Sequence, residues 1–372
     1  MGRKEPLKVD IVVVGAGVIG LAVARLLSSK YQVIVLEKNE KWGQETSSRN
    51  SEVIHSGIHY PKEFKKTEWS IHGRHLLYSF CRKFNVPYLK TGKYLVATAL
   101  QDRIYLEKLR AHSDTLAIPC EQVSGSDLSR KEPLIDALEA LYFSESGIID
   151  SHEFMARLEQ VAISAGTIFA YRSLVTKITQ SNSNWAVEYS QPSGESETII
   201  CGSIVNCAGL GAIDVYKMAF QATNYEERFC RGRYFNLGSK FKDKFQSLVY
   251  PVPSQEGLGI HVTRDLSGMV RLGPDVDWCS SSDYQQVNRW YQCEWDLIRS
   301  KFVDAIRRYC PSIQYDDLAP GVVGIRPKLF IDGVPHNDFL LENREGFISL
   351  LGIESPGLTA SLAIAEAVNY LV

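Results

Sequence analysis

The sequence predicts a mixed α/β fold: a parallel sheet covered by helices, with a second, mainly antiparallel sheet inserted into it. Three observations predict it. A strand, a glycine-rich turn and a helix open the chain. Two central stretches, Pro87 to Tyr142 and Arg228 to Asp277, carry strand-like segments such as Tyr94 to Thr98, Tyr234 to Leu237 and Ile260 to Thr263. A small-residue turn near the end runs into a final helix over Ala360 to Leu371. With 372 residues the chain is too long for one small core and short for three, so two intimately joined domains are expected. Their expected division is 1–86, 147–218 and 320–372 for the parallel unit, and 87–146 with 219–319 for the inserted one.

The opening unit is the most explicit. Asp10 to Val14 is a β-branched run of the kind buried on both faces of a parallel sheet. It feeds Gly15-Ala16-Gly17-Val18-Ile19-Gly20, a G-x-G-x-x-G, and a helix to about Ser29 follows. Val33 to Leu36 then forms a second strand ending at Glu37, 22 residues after Gly15, which completes a Rossmann-like βαβ unit. Gly15 permits the tight turn, Gly17 admits a pyrophosphate to bare backbone, and Gly20 allows close helix–strand packing. The helix start offers unpaired N–H groups and a positive dipole end to phosphates. Glu37 would accept hydrogen bonds from an adenosine ribose and would repel a 2′-phosphate. An adenine dinucleotide is therefore expected here.

Composition narrows the rest. The hydrophobic share of 45% and charged share of 23% suit a packed globular chain. A net charge of -2 argues against a nucleic-acid partner, so any anion site must be local. The eight cysteines make no C-x-x-C pair and no zinc spacing, and read as reduced, mostly buried thiols with no metal site. Met1 to Asp10 fits neither a secretory signal nor a transit peptide, and the Ile11 to Ala24 run is too short to span a bilayer. A cytoplasmic protein without a transmembrane segment is expected. The turn Gln191 to Glu197 reads as a hairpin loop.

The segment after Glu37 bears on which dinucleotide binds. Thr46-Ser47-Ser48-Arg49-Asn50-Ser51 is rich in donors and poor in bulk, and leads into Glu52-Val53-Ile54-His55-Ser56-Gly57-Ile58-His59-Tyr60. An ordinary Ser-rich loop would share that composition. The pattern T-S-S-R-N-S-x-V-I-H-x-G-I-x-Y resembles the second signature of the D-amino-acid-oxidase-type flavoproteins, and within them is most similar to the L-2-hydroxyglutarate dehydrogenases. Tyr88 to Thr98, Leu248 to Pro253, Gly257 to Thr263, Arg271 to Asp275, Gly324 to Lys328 and Gly352 to Ala360 resemble the same family in order. Glu52 departs from a usual glycine and His59 from a usual aromatic residue.

The resemblance implies a Rossmann-like FAD-binding domain with an inserted antiparallel substrate domain, and oxidation of a small 2-hydroxy acid with hydride transfer to flavin N5. It implies FAD contacts from the glycine motif, Glu37, Lys38, the run from Thr46 to Ser51, Val175, Ala208, Gly209 and Gly324. The start of the last helix, Gly357, Leu358 and Thr359, would face the charge that grows on the reduced ring. A common βα turn at Ala208-Gly209 and a capped surface helix at the end are the plainer readings of the last two features.

Such an oxidation needs a base and a cation for the carboxylate. Histidine is the natural base. His72, His75, His112, His152 and His336 lie outside any motif. His55 and His261 are the candidates, with a core or flavin-packing role as the competing account for both, and His59 is a third possibility. Arg326, held between Gly324-Ile325 and Pro327, suits a bidentate carboxylate grip, with Lys328 beside it. A second carboxylate would require donors such as Tyr60, Arg233, Tyr234, Thr263 or Arg264. The electron acceptor, whether oxygen, a quinone or a carrier protein, leaves no motif. Amino-acid or secondary-amine oxidation on the same fold, a non-catalytic binding protein and a simple nicotinamide dehydrogenase are the alternatives.

Overall fold

The computed structural model describes residues 5–181, 183–253, 259–280 and 286–372. The first four residues, and Gly257-Leu258 at the head of one motif, lie outside the described residues. The first strand, β1 (Leu7–Val14), ends in four fully buried positions. It lies between β2 (Val33–Leu36) and the Ser196–Asn206 strand, parallel to both. These sit in an eight-stranded sheet whose main path runs Leu174–Ser181, Asn184–Ser190, Ser196–Asn206, β1, β2, Ile168–Ala170. Phe347–Leu351 joins in parallel beside Ser196–Asn206. The Gln191 turn does connect an antiparallel pair, with Ser190 opposite Ser196.

The first helix, α1 (Val18–Leu27), starts directly from extended Gly17 and buries Leu21, Ala22, Val23, Ala24 and Leu27. It packs against the terminal Gly357–Asn369 helix, which also packs on α2 (Lys65–Phe84). At about 1.5–3 kcal/mol for each large apolar side chain removed from water, this layer holds the βαβ turn firmly in place. The turn needs its glycines for room. Gly15 has φ +99 and a Cβ there would meet the Cys207 carbonyl oxygen at 2.6 Å, while a Cβ on Gly20 would drive into the Gly15 carbonyl.

The second sheet has ten strands and is antiparallel apart from the Leu248–Pro251 and Lys93–Ala97 pair. The sequence-based division places 320–331 with the parallel unit, and there the structure differs. Leu318–Ile331 pairs antiparallel with Tyr225–Leu237 along nearly its whole length, from Tyr225 opposite Ile331 to Leu237 opposite Leu318. Two long strands satisfy their backbone groups on each other, which carries Gly324, Arg326 and Lys328 into the second sheet. A small third sheet joins Val53–Ile54, Tyr88–Leu89 and Gly147–Ile149. All eight cysteines are free. No helix among the described residues is long and apolar enough to cross a membrane.

Candidate functional site

A cavity of about 930 Å³ runs from the β1–α1 turn to the inner face of the second sheet. That lies at the upper end of the range for small-molecule sites. Gly15, Gly17, Val18, Ile19, Glu37 and Lys38 line one end. The Glu37 carboxylate accepts from the Ala16 N–H at 2.7 Å with one oxygen and from the Asn39 N–H at 2.8 Å with the other. Each oxygen keeps a further acceptor site, so the backbone aims the carboxylate without exhausting it. Ser47 Oγ accepts from the Val18 N–H at 3.0 Å, and a Cβ on Gly17 would stand 3.1 Å from that same oxygen. The Thr46 to Ser51 run thus lies directly against the start of α1.

The structure sorts this run. Thr46, Ser47, Arg49, Asn50 and Ser51 line the cavity, whereas Ser48 does not and its hydroxyl donates to the Glu45 carbonyl. Asn50 holds the turn by donating to the Thr46 and Ser47 carbonyls and accepting from the Glu52 N–H. Arg49 stacks 4.1 Å over the Tyr291 ring, and its buried Nε has no hydrogen-bond partner among the described residues. Gly324 lies where a Cβ would strike the Arg49 carbonyl. Lys38 reaches Glu45 at 2.7 Å. Val175, Ala208, Gly209 and Gly324 all line the cavity; Gly20, true to its packing role, does not.

The start of the terminal helix is partly corrected. Gly357 and Leu358 line the cavity, but the Gly357 N–H already donates to the Glu354 carbonyl at 2.6 Å. Thr359 is fully buried behind the wall, and its hydroxyl oxygen accepts from the His55 N–H at 3.0 Å and donates to Val53. Thr359 is therefore a brace for His55 and not a cavity donor. Pro356 cannot cap the helix with its side chain, which leaves the first turn open toward the cavity at Leu358.

The other end is polar and built from distant segments. Arg326 lines it, with one terminal nitrogen donating to the Asp275 carbonyl at 2.8 Å and the Arg231 carbonyl at 3.1 Å, and its buried Nε unpartnered. Lys66 and Lys328 both reach Glu354 Oε1, at 3.0 and 2.8 Å. Burial pushes the Glu354 carboxyl up, but the two ammonium groups outweigh it and hold it below the usual carboxylate range. Tyr60 donates to the Ser355 carbonyl at 3.0 Å. Tyr234 is buried in the wall with its phenol pushed up by that burial.

All three candidate histidines line the cavity. Burial, with Lys93 and His261 nearby, pulls His55 down to about 3, and its Nε2 lies 3.4 Å from Ser355 Oγ. His261 stacks on Tyr250 with ring centres 3.5 Å apart and planes at 7°. The His59 ring lies nearly parallel to Tyr250, with ring centres 6.4 Å apart. Three expected donors turn away. The Thr263 hydroxyl donates to the Arg271 carbonyl in a separate small cleft, Arg233 is spent on Asp275 and Asp277, and Arg264 on the Phe245 carbonyl and Asp243. Partners distant in the chain decide this: the Arg271 carbonyl holds the Thr263 hydroxyl, and Asp275 and Asp243 hold the two guanidinium groups.

Sequence reasoning missed Lys66, Glu354, Tyr250 and Lys93. Lys66 sits at the start of α2 in a polar stretch with no local signal. Lys93 had one: a lysine heading the apolar run Lys93–Ala97, every residue of which is buried.

The profile of the family described as FAD dependent oxidoreductase, DAO, matches residues 10–371. The chain is 36% identical to a mitochondrial L-2-hydroxyglutarate dehydrogenase of Arabidopsis thaliana, over 96% of this chain and 82% of that one. It is 27% identical to the human protein of that name, over 96% and 87%. Among solved structures it is similar to the FAD-bound L-α-glycerophosphate oxidase of Mycoplasma pneumoniae, with a TM-score of 0.88 and 25% identity over 98% and 94% of the two chains. The fold is shared with glycine oxidase from Geobacillus kaustophilus at a TM-score of 0.79 and 17% identity, over 98% and 94%.

Proposed function

The chain belongs to the FAD-dependent oxidoreductase family, and on that premise we propose that it oxidises L-2-hydroxyglutarate to 2-oxoglutarate. The cradle fits the cofactor: Gly15, Gly17, Val18, Glu37, Ala208 and Leu358 would hold FAD, which when bound accepts the electron pair and hydrogen of the substrate's C2–H bond. The observation that carries the substrate is the cation arrangement at the far end. Two ammonium groups share the Glu354 carboxylate, and the Arg326 guanidinium, which makes no ion pair among the described residues, lines the same end, leaving a local positive excess in a chain of net charge -2.

Arg326 is the grip for the carboxylate beside the hydroxyl, its guanidinium lining this end of the cavity. Lys66 and Lys328 serve the distal carboxylate, already held in place by Glu354. Tyr234 supplies a phenol that stays protonated. His55 and His261 flank the site, His55 as a neutral imidazole. A dicarboxylic 2-hydroxy acid uses every one of these groups; glycine or sarcosine would leave the lysine pair idle. The 36% identical relative that bears the dehydrogenase name supports the same choice.

The test is the visible spectrum of purified protein before and after anaerobic addition of L-2-hydroxyglutarate. The yellow flavin band should bleach. Bleaching by glycine or sarcosine but not by L-2-hydroxyglutarate overturns the substrate, and a colourless protein that FAD cannot reconstitute overturns the enzyme.

A further inference from the structure

Lys93 is a fully buried lysine at the head of the Lys93–Ala97 strand, directly behind the cavity wall. Its Nζ lies 2.7 Å from His59 Nε2. Two ring faces lie close to it, Tyr250 at 4.9 Å and Phe143 at 5.8 Å. Burial is the cause acting on its charge, and no carboxylate among the described residues offsets it. His59 lines the cavity, and its second nitrogen, Nδ1, is buried with no hydrogen-bond partner among the described residues. The imidazole therefore has one nitrogen committed to a buried amine and one uncommitted. That is the geometry of a two-nitrogen proton conduit.

We propose that the His59–Lys93 pair takes up the proton that the substrate hydroxyl loses on oxidation. The inference rests on the reading of the substrate as a 2-hydroxy acid. Before reaction, His59 Nε2–H donates to the neutral Lys93 amine and Nδ1 presents its lone pair. FAD, when bound, would accept the C2 hydrogen with its electron pair; the hydroxyl O–H bond breaks and its proton goes to Nδ1. The Nε2 proton passes to Lys93 Nζ, which becomes an ammonium, and the alcohol becomes a ketone. The pair gains one proton and no electrons, and returns the proton to water by the reverse path after the product leaves.

The alternative proton holders are weaker. Burial draws Lys93 down to about 7, so near neutral pH much of it is free amine able to take a proton and hold it. His55, at about 3, would keep a proton in only about one molecule in ten thousand at pH 7. The titratable groups facing the pair are His55, His261 and the Tyr250 phenol. The first two disfavour a charge on His59, so the imidazole passes the proton on and does not store it.

Two readouts test this. In the holoenzyme carrying 15N-labelled lysine, the Nζ resonance that disappears in Lys93→Met should titrate with a midpoint near 7; a resonance that stays fully charged through pH 9 overturns the proposal. In steady-state kinetics, kcat/KM should rise about tenfold per pH unit to a plateau above about pH 7. Lys93→Met should lower kcat roughly a hundredfold and abolish that limb, with flavin content and spectrum unchanged and KM within about threefold. His59→Gln should do the same with Lys93 in place, and carries the test should Lys93→Met not fold. If both variants keep the wild-type limb while His55→Gln loses it, the proposal is wrong and His55 is the base. If L-2-hydroxyglutarate fails to bleach the flavin, the substrate reading fails, while the titration of Lys93 and its response to His59→Gln still decide the pair.

Discussion

The two ends of the cavity are made differently. At the dinucleotide end the contacts come from contiguous chain: a strand, a turn and a helix start, with backbone N–H groups and absent side chains forming the cradle. At the substrate end Lys66, Arg326, Lys328 and Glu354 come from a helix start, a strand of the second sheet and a terminal loop, and the chemistry resides in their side chains. A backbone cradle tolerates almost no substitution at its glycines. A side-chain site can be retuned one residue at a time, which fits a family whose fold is shared with a glycine oxidase at 17% identity.

The sharpest break in that comparison is Gly20→Ala. The added Cβ would meet the Gly15 carbonyl, which is backbone and cannot swing aside. We expect destabilisation above about 4 kcal/mol and protein recovered without flavin, read from the ratio of flavin to protein absorbance. Full yellow occupancy would show that the turn has slack the structure does not contain. Next in size is Arg326→Met, with an expected fall in kcat/KM of roughly a thousandfold at unchanged flavin content. Part of any lost stability there would come from the Asp275 and Arg231 carbonyls left without a donor, so Arg326→Lys is the control.

The same contrast explains what could be read from sequence. Gly15, Gly17, Gly20 and Glu37 are legible because their places are fixed by spacing within one βαβ unit: Gly15 and Gly20 sit where a Cβ would strike backbone, and Gly15, Gly17 and Glu37 line the cavity. The Thr46 to Ser51 run was legible as a segment but not residue by residue, since Ser48 and Asn50 satisfy their own turn. Thr263, Arg233 and Arg264 failed because a cross-strand hydrogen bond and long-range ion pairs decide which way they face. Lys66 was invisible because its site is completed by Glu354, almost three hundred residues along the chain. The boundary at 320 failed for a related reason: pairing with Tyr225–Leu237 is a long-range choice that no local pattern announces.

A sharper comparison within the substrate end uses Lys66→Met. Lys66 is buried, so its charged contact to a distal carboxylate is worth about 1.5–3 kcal/mol. KM for L-2-hydroxyglutarate should rise about thirtyfold, while a 2-hydroxy acid with one carboxylate, such as 2-hydroxybutyrate, should be turned over as by wild type. An equal loss for both substrates would make the lysine pair a brace for Glu354 and remove it from recognition.

The smallest effect concerns Glu354 itself. Burial alone would raise its carboxyl, and Lys66 and Lys328 more than reverse that, so the folded value lies below the unfolded one. A depressed carboxyl stabilises the fold above the unfolded pKa, and that contribution is lost as pH falls through the folded value. Thermal melts of wild type and Glu354→Gln should therefore differ most at neutral pH, with wild type higher, and converge as the pH is taken below the carboxylate range. A constant gap down to acid would mean that the carboxylate's worth is steric, and that the positive excess at this end of the cavity exists without its counter-ion.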